Sequence, residues 1–165
     1  MKMEFRIFVS YSTLDLTQVE LLRSQLSNTP IDLFIAEHSV TAGANLSETI
    51  KSSISCCDLF VVVWSKNAKE SGWVSQEIGQ ALALQKPILP LVLDKEHPPS
   101  GFVSNIKYIP MYEGVPQALH KAEEIIMRAY ENKHERMQAE RKRKESDDMA
   151  KLGVAAFLLW LGTRG

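Results

Sequence analysis

Short apolar runs alternate along the chain with stretches in which apolar residues recur every three or four positions, and the alternation repeats about five times. Phe5 to Ser10 is an apolar run broken only by Arg6 and predicts a first strand. Ser12, with Asp15 three residues later, fits the cap of a first helix. That helix is expected to run to about Leu26 with Val19, Leu22 and Leu26 inward, and Asn28-Thr29-Pro30 to stop it. Ile31 to Ala36 predicts a second strand, and Glu37 to Asn45 a loop too long for a minimal connection. Leu46, Ile50 and Ile54 mark the narrow inner stripe of a second helix. Asp58 to Trp64 is continuously apolar after its first residue, the pattern of a parallel strand buried on both faces. Ser65 to Glu70 then connects to a helix from Ser71 to Leu84, which Lys86-Pro87 ends. Ile88 to Leu93 predicts a fourth strand containing Pro90, and Asp94 to Asn105 a Pro/Gly-containing loop. Ile106 to Met111 predicts a fifth strand, placed at an edge by Pro110. Glu113 to about Arg136 predicts a last helix with Ala118, Leu119, Ala122, Ile125, Ile126 and Ala129 inward.

This order predicts an α/β protein with a flavodoxin-like three-layer fold, in which a five-stranded parallel sheet of order 2-1-3-4-5 is wrapped on both faces. Residues 1–132 form the domain, and 133–165 a charged helical extension that ends in a short apolar segment. In such a sheet, ligands sit at the carboxyl ends of strands one and three. That edge brings Ser10-Tyr11-Ser12 beside Trp64-Ser65, with the helix that starts at Ser71 above them.

Within that helix one carboxylate stands out. At 100° per residue, Val74, Ile78, Ala81, Leu82 and Gln85 share the inner arc, and Glu77 lies on its flank between Trp73 and Ala81. Either the helix rim turns Glu77 into water, or its apolar neighbours desolvate it and raise its pKa for chemistry. Tyr11, Trp64 and Trp73 are candidate stacking walls, with pure core the other role for the two tryptophans, and Ser10, Ser12 and Ser65 are candidate hydrogen-bonding partners.

Composition narrows the chemistry by exclusion. The 165 residues are 45% apolar and 24% charged, ordinary for a globular domain, and a net charge of −1 gives no electrostatic case for nucleic acid. The cysteines, Cys56 and Cys57, are adjacent, so no disulfide framework is expected; Cys57 reads as a buried, inert thiol. Met1 to Arg6 leads straight into a strand pattern, so no signal peptide is expected and the compartment reads as cytoplasmic. No G-x-G-x-x-G follows the first strand and no Walker A sequence occurs. The places where a phosphoacceptor receiver carries acids hold Ser-Tyr-Ser and Trp-Ser. His38, His97, His120 and His134 are scattered, without zinc-ligand spacing.

Taken together, these residues resemble a Toll/interleukin receptor (TIR) domain over roughly residues 4 to 132. Phe8-Val9-Ser10-Tyr11-Ser12 with Asp15 resembles that family's first box, and the Glu37 to Leu46 loop stands where its BB loop lies. Asp58 to Ser65, then Ser71-x-Trp73-x-x-x-Glu77, resembles its strand-three and third-helix signature. The likeness is greatest to bacterial members that cleave NAD+ at the nicotinamide–ribose bond in cell defence, and it implies that Glu77 is catalytic. It further implies an NAD+ site drawn from Ser10, Tyr11, Ser12, Phe34, Gly43, Ala44, Asn45, Leu46, Trp64, Ser65, Ser71 and Trp73, with no metal and no cofactor beyond NAD+ as substrate. The loop departs from the usual bacterial pattern: Ala44-Asn45 occupies positions commonly held by Asp-Ser. Other members are scaffolds that self-associate through TIR–TIR contacts, and a nucleoside deoxyribosyltransferase-like enzyme shares the layout and a catalytic glutamate.

The tail differs in kind. His134 to Lys144 is polar nearly all round and ends in a basic run, and the apolar stretch from Leu152 to Gly162 is shorter than the roughly 20 residues of a membrane span. Residues 141–164 are expected either to rest on a membrane surface, placing the protein peripherally at the inner membrane, or to pack on protein.

Overall fold

The computed structural model describes residues 4–35 and 46–162. Up to Ile126 they form one compact unit, in which strands β1 (Phe5–Ser10), β2 (Ile31–Ile35), β3 (Leu59–Trp64), β4 (Ile88–Val92) and β5 (Ile109–Pro110) make a parallel sheet of order β2-β1-β3-β4-β5. The expected α/β topology is therefore observed. β3 is buried along its whole length, as its uninterrupted apolar run requires of a central strand. Its register sets Val62 opposite Ser10 and Trp64 opposite Val92, so the ends of β1 and β3 are neighbours.

Alternation along the strands divides the core. Phe8, Phe60, Val62 and Trp64 pack with Ile50 and Ile54 of α2 (Leu46–Cys56), Ala68 of α3 (Lys66–Glu70), and Val74, Ile78 and Ala81 of α4 (Gly72–Ala83). The Phe8 ring stacks on Phe60 and on Phe34, with centroids 5.4 Å apart in each pair. Ile7, Val9, Val61 and Val63, whose side chains alternate with these, are buried too. So are Val19, Leu22 and Leu26 of α1 (Leu16–Leu26) and Ala118, Leu119, Ala122 and Ile126 of α5 (Val115–Gly162). A hydrogen bond from Gln25 to Glu123 joins α1 to the first part of α5.

Several boundaries differ from the sequence expectation, each for a local reason. A 3₁₀ turn, Thr13–Asp15, precedes α1, and Ser12 caps this turn by accepting from the Leu14 N–H. The Ser65–Glu70 connection contains α3, a helix too short to show periodicity. β5 is reduced to Ile109–Pro110, because Pro110 removes a ladder donor and the chain turns into a 3₁₀ segment at Met111–Glu113. Gln85 is exposed rather than inward. It adopts φ 53° at the end of α4, where the Lys86 N–H bonds to the Ala81 carbonyl and the Gln85 N–H to that of Leu82, a Schellman closure.

α5 does not stop near Arg136 but continues to Gly162. The apolar period that marked its first part ends, and opposite charges spaced four residues apart take over: Arg136/Glu140, Glu140/Lys144, Arg141/Glu145 and Asp147/Lys151. The second compact unit begins at Met127, slightly before the boundary expected at residue 132.

Candidate active site

The site is built at the carboxyl edge of the sheet by serines that start helices. Ser65, directly after β3, accepts the Ala68 N–H through Oγ at 3.1 Å and so starts α3. Ser71 does the same for α4, accepting the Val74 N–H at 3.3 Å. From that start, helical geometry turns Val74, Glu77, Ile78 and Ala81 inward, and all four are buried.

Glu77 is therefore not a solvated rim charge: only 2% of its surface is exposed. Its Oε2 accepts a hydrogen bond of 2.5 Å from the Ser10 hydroxyl, which is fully buried at the last position of β1. Burial pushes the Glu77 carboxyl up to about 7 from the ordinary 4.5, and the Ser10 hydrogen bond offsets part of that rise. A carboxyl held in this way exchanges its proton near neutral pH, the property expected of a group that meets developing positive charge or handles a proton.

A second buried carboxylate lies at the same edge. Asp15 accepts from the Ser65 hydroxyl at 2.5 Å and from the Asn67 side-chain amide at 3.0 Å, joining the turn after β1 to the start of α3. The sequence marked Asp15 only as part of a cap and a family box. Its spacing from Ser65 and Asn67 along the chain hides the contact, which only the β1–β3 pairing reveals.

The profile of the TIR domain family matches residues 7–126. The chain belongs to that family. Its fold is similar to the TIR domain of the Toll-related receptor TRR-2 from Hydra magnipapillata, at 18% identity and a TM-score of 0.61 over 73% of this chain and 97% of that one. It is also similar to the CMP N-glycosidase BcmB from Clostridium botulinum, at 22% identity and a TM-score of 0.54 over 72% of this chain and 98% of that one. Among curated protein sequences none is significantly similar to it.

In this TIR domain the residues singled out from sequence divide by what they touch. Ser10 and Glu77 are bonded to each other, and Tyr11 and Ser12 are buried beside them in the chain. Ser65 and Ser71 use their hydroxyls as caps. Trp64 is buried, and its indole N–H donates to the His97 carbonyl at 3.1 Å, so its polar atom serves the 94–105 connection. Trp73, in the first turn of α4, is 44% exposed and is surface rather than core. Phe34 stacks on Phe8 and lines a cavity of about 190 Å³ with Arg6, Asp32, Ser52 and Cys56, and Glu77 is not part of that lining. Gly43, Ala44 and Asn45 lie outside the described residues, as does the Leu46 side chain.

Proposed function

We propose that this TIR domain cleaves NAD+ at the nicotinamide–ribose bond, with Glu77 as the catalytic residue. The observation that carries the reading is the buried Glu77 carboxyl, held by Ser10 at the carboxyl edge of the sheet. Nicotinamide leaves a cationic nucleotide as a neutral base, so its departure needs little protonation. The charge to be met is the positive, oxocarbenium-like ribose, and one carboxylate in a dry setting meets it electrostatically. The C1′–N bond breaks with its electron pair going to nicotinamide, and water, losing a proton to Glu77 or to solvent, completes ADP-ribose; a ring-closing nucleophile on the same nucleotide would give a cyclic product instead. A single glutamate is sufficient for this. That the fold also carries an N-glycosidase in BcmB supports chemistry at such a bond.

The enclosure of Glu77 favours a second reading, a non-catalytic module that self-associates through TIR–TIR contacts, in which the carboxyl only fastens α4 to β1. The enzymatic reading accommodates the enclosure if association of copies uncovers the site and lends it a neighbour's loop. It then requires that turnover per molecule rise with protein concentration. Chromatography of NAD+ and of deoxynucleosides incubated with dilute and concentrated protein separates the three possibilities. Nicotinamide release supports the proposal. Cleavage of deoxynucleosides alone would make the protein a deoxyribosyltransferase-like enzyme. Association without turnover of either would leave the scaffold.

A further inference from the structure

We infer that the last turns of α5 dock on the surface of an anionic phospholipid bilayer. From Leu152 to Gly162 the sequence has no polar side chain. At 100° per residue its large residues fall on every side of the helix rather than along one stripe. Leu152, Val154, Phe157, Leu158 and Leu159 are each between 58% and 73% exposed. Pairing with one other helix would cover a single seam and leave the remaining sides in water. An apolar medium on several sides at once is what this segment fits, and a bilayer supplies it.

Length sets the mode of contact. Eleven helical residues extend roughly 16 Å, about half of a hydrocarbon core. Among the described residues no helix is long and apolar enough to cross a membrane. The segment therefore reaches into one leaflet without crossing the bilayer.

Charge sets the lipid. Arg141, Lys142, Arg143 and Lys144 precede the apolar segment, and Lys151 adjoins it. Each cation near an anionic surface adds to the attraction. Glu145, Asp147 and Asp148 stand four residues after Arg141, Arg143 and Lys144 and oppose part of that gain. Apolar insertion thus supplies most of the affinity, and the basic run adds a salt-sensitive preference for anionic lipid. The inference does not depend on the enzymatic reading.

The test is flotation of the full chain with phosphatidylcholine vesicles, with and without phosphatidylserine. The wild type is expected to float with both, more strongly with phosphatidylserine and less so at high salt. Leu158→Glu with Leu159→Glu, at two exposed positions, should cut partitioning about tenfold or more, with helix content checked by circular dichroism. Replacing the four cations at 141–144 by Gln should weaken binding to the anionic vesicles alone, by about tenfold or more. A wild type that floats with neither vesicle overturns the inference, as does equal flotation by the Leu158→Glu/Leu159→Glu variant. Failure to float together with an oligomer in lipid-free gel filtration that this variant abolishes also overturns it, in favour of a second copy of the chain.

Discussion

Glu77 is the residue on which stability and the proposed activity make opposing demands. Below about pH 4.5 its carboxyl is neutral in both the folded and the unfolded chain, and burial carries no penalty. As pH rises towards about 7 the unfolded chain gives up this proton before the folded one does, so stability is lost across that interval and is level above it. Glu77→Gln keeps an acceptor for Ser10 and removes the titration. The variant should therefore match the wild type near pH 4.5 and exceed it by about 3 kcal/mol at pH 8, measured by urea denaturation. Ser10 works in the other direction, since its hydrogen bond favours the charged carboxylate. Ser10→Ala should move the acid limb of kcat/KM for NAD+ cleavage to higher pH, because the free enzyme then holds the Glu77 proton more tightly. An unmoved limb would show that another group sets it.

At the scale of elements, α3 and α4 are fixed at the sheet edge by short polar links rather than by apolar area alone. The Asp15–Ser65–Asn67 set is the clearest case, because one buried carboxylate satisfies two donors from the strand-three side. Asp15→Ala should destabilise the fold by about 2 to 4 kcal/mol with an unchanged denaturant slope, since it leaves the Ser65 hydroxyl and the Asn67 amide without that acceptor. A loss below 0.5 kcal/mol, about what an ordinary surface substitution gives, would mean that the links are incidental. These links also mark how far the sequence could be read. β3 was legible because six consecutive apolar residues declare a strand buried on both faces, and Glu77 because Trp73 and Ala81 bracket it at helical spacing. Its depth was not, because the packing of α4 against the sheet, not the helical period, decides whether a flank residue faces water. Asp15 was hidden because its partners lie far along the chain. α3 was hidden because five residues show no period, and the length of α5 because its charged second part has no apolar stripe to betray it.

For the whole molecule, the proposed chemistry lies at the carboxyl edge of the sheet, where Glu77 is enclosed, so the proposal requires that access to it be opened. Ser10 holds the carboxylate, α4 orients it, and assembly of copies would open the way to it. Turnover per molecule should then climb with protein concentration, which sedimentation and activity assays on the same samples can follow. The central claim is that Glu77 itself performs the cleavage. The most direct measurement is the rate of nicotinamide release from NAD+ by the wild type and by Glu77→Gln at one high protein concentration and pH 8, where the wild-type carboxyl is ionised. Glu77→Gln should fall by two orders of magnitude or more while remaining folded and equally associated, in line with the loss of an electrostatic stabiliser of the transition state. Equal rates for the two proteins would contradict the assignment.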